Sequence, residues 1–259
     1  MFKKLKASLG IGSAKVDTIL HNPSLYQGDI LQGNVHIKGG DVEQGNVHIK
    51  GGDVEQVIDA ISLKLCTEMK VELENGHSYQ TFVLGTIKVN QPFTIHASEE
   101  KSLPFEFKLH DETPITQLNT QNNQSKVWLE TTLDIDFAID PSDRDFIEVK
   151  PLPAIASVIA SIENAGFNLI KADVEKGFLQ GGHFASQSGC YQEIEFRNSG
   201  FFNSKEIELS FILDGAVIHC LAEIDRSMST RGDQYTSFSI SRNASPSDIS
   251  YQLDTLLRM

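Results

Sequence analysis

DPSDRDFIEVKPLP, residues 140–153, separates two stretches of the chain that differ in pattern. Before it lies a long series of short alternating segments, which ends in the strand-like residues 127–137, VWLETTLDIDF. After it come one amphipathic segment and a second alternating series. Proline fixes φ and removes a backbone donor, so the three prolines of this stretch mark the ends of strands rather than their interiors. The pattern predicts a semi-rigid connector between two β domains.

We therefore expect an N-terminal β-sandwich over residues 1–140, a connector over residues 141–153, and a C-terminal β-sandwich with flanking helices over residues 154–259. The alternating segments are separated by Gly, Asn or Pro and are not interrupted by helices before the connector, which is typical of sandwiches. The predicted strands of the first part are residues 14–20, 57–67, 82–89, 93–97, 105–109 and 127–139. Those of the second part are residues 169–175, 192–196, 207–213, 217–225 and 235–240. The predicted class is mainly β, with two sandwich domains.

Two amphipathic helices are predicted in the C-terminal part. The interior one has apolar residues at i, i+3, i+4 and i+7, with a glycine at the expected C-cap; these are Ile155, Val158, Ile159, Ile162 and Gly166. The terminal one starts at residues 245–248, SPSD, where proline suits the first turn. Its apolar face consists of Ile249, Leu253, Leu256 and Leu257.

An exact tandem repeat interrupts the first alternating series. Residues 33–44 and residues 45–56 both read GNVHIKGGDVEQ. Twelve is an even number, so the duplication preserves the in/out alternation of a strand. Compared in a wider window, residues 28–39 and 40–51 differ only at Ile30/Val42 and Leu31/Glu43. Either unit could supply the strand, and Leu31 favours the first unit if its position faces the core, because an inward glutamate is costly.

Composition excludes several functional classes. The formal net charge of −13 argues against a general nucleic-acid binder, which normally presents a basic surface. No apolar run is long enough to cross a membrane. Three scattered cysteines are too few for a disulfide framework or a four-cysteine zinc site, so buried free thiols in a reducing compartment are expected. We expect a cytoplasmic location.

The N-terminus is a short basic amphipathic segment. Residues 1–10, MFKKLKASLG, place Lys3, Lys4 and Lys6 away from an apolar face of one phenylalanine and two leucines. We expect this segment to dock on its own domain, because so few apolar residues bury little area. The alternative is a weak peripheral contact between the lysines and an anionic membrane.

No catalytic, cofactor-binding or metal-binding residues are predicted. The chain lacks a nucleophile elbow, a P-loop, a strand-bound G-x-G-x-x-G and H-E-x-x-H. Asp140, Asp143 and Asp145 resemble part of a calcium loop, but Arg144 stands between the last two and no glycine follows. We expect these four residues to form hinge salt bridges between an aspartate and Arg144.

Five stretches together resemble the sporulation-control (SpoOM) family. They are residues 10–18 (GIGSAKVDT), 28–33 (GDILQG), 51–58 (GGDVEQVI), 140–153 and 223–226 (EIDR). Members of this family resemble arrestins, with two β-sandwiches joined by a short connector. The resemblance implies a bacterial, cytoplasmic, non-enzymatic regulator of sporulation, the cell cycle or stress responses, without a cofactor. It also implies one copy of the repeated unit.

Two functional classes follow from the sequence and the resemblance. The first is an arrestin-like scaffold that binds protein partners through exposed sheet edges by main-chain pairing. The second is a small-ligand-binding or hydrolytic protein with a site in the inter-domain cleft, which a pocket with convergent polar groups would favour. The identity of the partner and the oligomeric state stay open.

Overall fold

A computed structural model of the chain describes residues 13–39, 55–135, 140–198, 204–226 and 234–258. Within these ranges the protein is mainly β, which confirms the predicted class, and its strands form three sheets. The strands are β1 (Ala14–Leu20), β2 (Ser24–Tyr26), β3 (Ile30–Gly39), β4 (Gln56–Leu73), β5 (Gly76–Lys88), β6 (Phe93–Ile95), β7 (Glu100–Lys108), β8 (Val127–Ile135), β9 (Ser142–Phe146), β10 (Glu148–Lys150), β11 (Phe167–Lys176), β12 (Cys190–Asn198), β13 (Lys205–Asp214), β14 (Val217–Arg226) and β15 (Gln234–Ser241). The helices are α1 (Pro153–Asn164) and α2 (Pro246–Arg258).

The first copy of the repeat supplies β3. This strand lies between β1 and β7 in an antiparallel three-stranded sheet. Leu31 is 0% exposed and its neighbour Ile30 is 53% exposed, so the position that distinguishes the two copies faces the core. Val35 and Ile37 share the buried face, as the alternation predicts. Residues 40–54, which include most of the second copy, lie outside the described ranges, as do residues 1–12 with Lys3, Lys4 and Lys6.

The longest described strand, β4, belongs to the N-terminal half and connects its sheet to that of the C-terminal half. Its first part pairs with β8, and most of its opposite edge pairs with β5. Apolar residues of β4 such as Leu63 and Leu65 belong to the same buried cluster as Leu31 of β3, so the two sheets pack face to face. Near its end, Lys70 of β4 pairs with Glu175 of β11 in parallel orientation. The sheet thereby continues into β12, β13, β14 and β15 and reaches ten strands.

Both predicted helices cover one face of β11–β15. The buried residues of α1 include all four of its predicted apolar positions, Ile155, Val158, Ile159 and Ile162. The helix ends at Asn164 with Ala165 as its C-cap, and Gly166 follows with a φ of +94°, a left-handed conformation that glycine adopts without strain. In α2 the buried residues are Ile249, Leu253 and Leu256, as predicted. The helices and the sheet share one hydrophobic cluster.

The predicted connector is paired with the N-terminal half over most of its length. Strand β9 extends the large sheet beside β8, and β10 pairs in parallel with β2. Pro153 then starts α1 at a position where a missing backbone donor costs nothing. The division into domains at residues 1–140, 141–153 and 154–259 stays a prediction.

Candidate interaction surfaces

The connector brings together three carboxylates between the two sheets of the N-terminal half. The side chains of Asp143 and Asp145 lie on the same face of β9, which faces β1. Strand β1 contributes the third carboxylate, Asp17. The Oδ2 atom of Asp143 accepts a hydrogen bond from the backbone N–H of Thr18 at 2.7 Å. The Oδ2 atom of Asp145 is buried and accepts no hydrogen bond from the described residues. Two of the predicted hinge residues thus face a third aspartate that the sequence did not single out.

Burial and mutual repulsion change the proton affinity of this cluster. Burial raises the pKa of Asp145 from 3.8 to about 7, and the nearby charges of Asp143 and Asp17 raise it further. The pKa of Asp17 is raised to about 6, first by burial and then by Asp143. At neutral pH these carboxylates therefore carry fewer negative charges than three isolated aspartates would.

Arg144 points away from that cluster. Its guanidinium lies 4.6 Å from the centre of the Trp128 ring, and its Nη2 atom is 3.6 Å from the carboxylate of Glu130. The predicted salt bridge between a connector aspartate and Arg144 is therefore wrong: alternation along β9 places the arginine on the opposite face from Asp143 and Asp145. Asp140 instead accepts a hydrogen bond from the backbone N–H of Ile135 at 3.1 Å.

The junction between the two halves consists of polar contacts. The side chain of Gln192 accepts a hydrogen bond from the N–H of Ile115 at 2.9 Å and donates to its carbonyl at 2.7 Å. The carboxylate of Glu112 accepts hydrogen bonds from the N–H groups of Gln187 and Ser188, each at 2.7 Å. These bonds hold the segment after β7 against the start of β12.

A salt bridge accompanies the strand pairing at this junction. Lys70 Nζ lies 2.8 Å from Glu175 Oε1, where β4 meets β11. The hydrogen bond that Lys70 donates to Glu175 raises the pKa of Lys70 well above its ordinary value, so the lysine stays charged. The polar loop 117–125 also contacts β11: Gln124 N–H donates to the carbonyl of Ala172 at 2.7 Å.

The space at the junction is limited. A cavity of about 10 Å³ is lined by Gln27, Ile115 and Gln192 among others, which is room for one water molecule. The Oε1 atom of Gln27 is buried there without a hydrogen-bond partner among the described residues. An open groove of about 220 Å³ lies beside it, lined in part by His110 and Glu112. The carboxylate of Glu112 is already engaged by Ser188.

One face of the C-terminal sheet is strongly acidic. Opposite the helices, the side chains of β11–β14 include eight carboxylates and two cations, Lys171 and Arg197, and Lys70 of the neighbouring β4 pairs with Glu175. The carboxylates are Asp173, Glu175, Glu193, Glu195, Glu206, Glu208, Glu223 and Asp225. Several stand directly opposite one another, since Glu208 pairs with both Glu195 and Glu223. Like charges in such cross-strand pairs repel, so this face carries excess negative potential.

Lys171 and Arg197 neutralise only part of the negative charge of that face. Lys171 Nζ lies 2.6 Å from Asp173 Oδ2, and Arg197 Nη2 lies 2.8 Å from Glu206 Oε1. Burial, followed by the charges of neighbouring carboxylates, raises the pKa of Glu193 to about 7. Burial, then a hydrogen bond and repulsion from Glu206, raise the pKa of Glu195 to about 7. Additional positive charge brought to this face would relieve the repulsion.

In the large sheet, β15 and β5 each have a long edge that pairs with no strand in the described parts of the chain. Strand β15, QYTSFSIS, pairs with β14 on one side only and contains no charged residue. Strand β5 pairs with β4 on one side only. In β15 the outward side chains are Tyr235, Ser237, Ser239 and Ser241, all exposed. Tyr235 is 70% exposed, and its hydroxyl donates to Glu223 at 2.7 Å.

The three cysteines match the predicted buried free thiols. Cys66, Cys190 and Cys220 are buried and unpaired. Burial raises the pKa of Cys66 to about 11 and of Cys190 to about 12, and it raises the pKa of Cys220 as well. At neutral pH these thiols stay protonated, so they are poor nucleophiles. None of the described helices is long and apolar enough to cross a membrane.

Comparison with known proteins places the chain in a family. The profile described as "SpoOM protein" matches residues 2–45 and 43–228. The chain belongs to the SpoOM family. The two matched segments meet at residues 43–45, inside the repeat, as expected when a single-copy family pattern is aligned with a chain that carries an extra unit.

Relatives from one bacterium support the assignment. The sporulation-control protein spo0M of Bacillus subtilis (strain 168) is 37% identical over 228 residues, which are 87% of this chain and 80% of that protein. The crystal structure of Spo0M, sporulation control protein, from Bacillus subtilis aligns with a TM-score of 0.78 and 30% identity. That alignment covers 96% of this chain and 99% of the other. The mainly β fold of this SpoOM chain is thus shared with a solved member.

Proposed function

We propose that this chain is a cytoplasmic, non-enzymatic regulatory scaffold that binds protein partners by adding their extended segments to its open sheet edges. A regulatory role linked to sporulation is supported by its relative, a sporulation-control protein. The arrestin-like mode of action is our proposal. The observation that carries it is the edge of β15, which is eight residues long and uncharged.

An unpaired strand edge of this kind favours aggregation unless a partner covers it. Its outward N–H and C=O groups can pair with any extended chain, and soluble proteins normally protect such edges with lysine, proline or bulges. None of these is present in β15. An edge without these protections favours a partner strand as its physiological cover.

The alternative, a small-ligand or hydrolytic site in the cleft between the halves, has less support. The enclosed cavity at the junction holds one water molecule at most. The polar groups around it, chiefly Gln192 and Glu112, are used in hydrogen bonds that join the halves. The carboxylates with raised pKa values lie either between the two N-terminal sheets, as Asp17 and Asp145 do, or on the acidic face, as Glu193 and Glu195 do, and none of these four lines the cavity or the groove at the junction.

Blocking the edges tests the scaffold. Ser237→Lys in β15 and Thr81→Lys in β5 place a charge at an open edge, whereas Thr255→Lys adds the same charge on the exposed side of α2. Tagged variants expressed in the native host should lose a defined set of co-purifying proteins when an edge is blocked, and the α2 variant should retain them. If wild-type protein and both edge variants recovered the same proteins in equal amounts, strand addition would not be the mode of binding.

A further inference from the structure

We propose that the edge of β15 binds an extended protein segment with lysine or arginine at alternate positions, whose basic side chains lie over the acidic face of β11–β14. This inference rests on the proposed scaffold function and names one edge and the chemistry of its partner.

Strand geometry sets where the side chains of the partner would lie. Side chains of an added strand alternate between the two faces of the sheet, so every second residue would lie on the acidic side. The next strand inward, β14, carries Glu223 on that side, and β13 carries Glu208 directly opposite it. An added strand would run two strand spacings from β14, about 10 Å, which is roughly one Debye length at physiological ionic strength.

One end of β15 lies beside these carboxylates. Tyr235 lies opposite Glu223 and its hydroxyl donates to that carboxylate, whereas Ser237, Ser239 and Ser241 lie opposite Leu221, His219 and Val217. Ser237, two residues from Tyr235, is small and exposed, so a long basic side chain from a neighbouring strand can extend across it toward Glu223. The end of the edge at Tyr235 and Ser237 is therefore where a lysine or arginine fits best.

Charge also argues against the other occupants of an open edge. In a second copy of this chain, the acidic face of one molecule would continue into the acidic face of the other, and the whole chain carries a formal charge of −13. Nucleic acid is excluded by the same sign of charge. On the described strands, Lys70, Lys171 and Arg197 stand against at least eight carboxylates, and a basic partner would reduce the excess of negative charge.

A synthetic peptide provides a direct probe. We would measure the binding of a fluorescein-labelled peptide of alternating lysine and threonine, as long as β15, by fluorescence anisotropy. Control peptides carry glutamate in place of lysine, or N-methyl groups on alternate amides, which prevent strand pairing. The lysine peptide should bind, with an affinity that falls as salt rises, and both control peptides should bind at least about tenfold more weakly.

Protein variants separate the two contributions. Ser237→Lys should weaken binding by about tenfold or more, because it adds repulsion at the edge itself. The double variant Glu208→Gln/Glu223→Gln should weaken binding severalfold at low salt and flatten its salt dependence. Thr255→Lys should bind within twofold of wild type. Amide hydrogen exchange should slow in β15 when the lysine peptide is present.

Each failure has a distinct meaning. Equal binding of the N-methylated peptide or by Ser237→Lys would overturn strand addition at β15, and equal binding of the glutamate peptide would overturn the basic partner. Self-association of the wild-type chain that Ser237→Lys abolishes would assign the edge to a second copy and overturn the inference. If the peptide does not bind but Ser237→Lys still loses host partners, the scaffold function stands and this inference is wrong.

Discussion

Two deletions of equal length test how the duplicated segment is accommodated. Deleting residues 33–44 removes one exact copy and keeps the first unit. Deleting residues 28–39 removes the first unit and brings the second into its place. The two products differ only at the positions of Ile30 and Leu31, which the second deletion changes to valine and glutamate. The comparison therefore isolates the residue at the buried position.

The structure sets the expected difference in stability. Leu31 is 0% exposed, and complete burial of a leucine contributes about 2–3 kcal/mol. A glutamate at the same position loses that contribution and is itself costly to bury, so the deletion of residues 28–39 should lower the free energy of unfolding by about 4 kcal/mol or more. The partly exposed Ile30 contributes little to the difference.

The deletion of residues 33–44 should instead be slightly stabilising. It shortens the link between β3 and β4 from 16 residues to 4. Two halvings of a loop recover about 1 kcal/mol of closure entropy. Four residues can span the gap, because Gly39 lies opposite Ala14 in the β1–β3 pair and Gln56 accepts a hydrogen bond from Ala14 N–H at 2.7 Å.

Urea denaturation followed by tryptophan fluorescence measures both products, since Trp128 lies in β8 of the same half. We expect the 33–44 deletion to have a midpoint at or above that of wild type, and the 28–39 deletion to be strongly destabilised. Equal stabilities of the two products would show that Leu31 does not determine which unit pairs. Unfolding of the 33–44 product would show that both copies are structural.

Three further changes have defined outcomes. Asp145→Asn should raise the free energy of unfolding at pH 8 by about 1–2 kcal/mol and change it little at pH 4. The reason is that the pKa of Asp145 is raised from 3.8 to about 7 in the folded state, so the wild-type protein loses stability as the pH rises between those values. Exposed Asp134→Asn is the control, and an equal gain in stability at both pH values would refute this explanation. Gln192→Leu should cost about 2–3 kcal/mol in thermal or urea unfolding by leaving both backbone groups of Ile115 without a partner, and a cost below about 0.5 kcal/mol would mean that the junction does not depend on this residue. Leu253→Ala in α2 should cost about 2–4 kcal/mol, and a loss no larger than that of an exposed helix position would contradict the packing of α2 on the sheet.

Sequence reasoning predicted the elements whose pattern is apolar. The spacing of Ile155, Val158, Ile159 and Ile162 was sufficient to predict α1, because one apolar stripe must face a core. The alternation in residues 14–20 predicted β1 with its observed bounds. The choice between the two repeat units also followed from chemistry, since leucine and glutamate differ strongly in the cost of burial.

Elements stabilised by polar partners were not predictable in the same way. Strand β9 reads SDRDF, and no β-branched or alternating apolar residue marks it as a strand. It is held by β8 and by the contact between Asp143 and Thr18, which lie far apart in sequence. The predicted partner of Arg144 was wrong for the same reason, because Glu130 becomes its neighbour only through the β8–β9 register.

The acidic face of β11–β14 was likewise not predictable from the sequence. Each acidic residue of β11–β14 occupies an ordinary outward position in its own strand, so the sequence suggests only solvated surface. The repulsion arises from register, which places Glu208 between Glu195 and Glu223. Lys70 and Glu175 likewise meet only because β4 extends beyond its predicted end at residue 67.

The length of β4 determines which movement between the halves is easiest. A strand of 18 residues paired with β5 over most of its length resists bending within the sheet, since bending would break the ladder. The C-terminal half pairs with this strand at one residue pair, Lys70 and Glu175, and hydrogen bonds of Glu112, Ile115 and Gln124 also hold the junction. Rotation should therefore occur as torsion about the axis of β4 rather than as the opening of a cleft. Because β15 lies five strand spacings away, about 24 Å, a torsion of about 10° would move its edge by about 4 Å. The open edge of β15 thus lies far from the torsion axis, so a small twist displaces it by a distance comparable to one strand spacing.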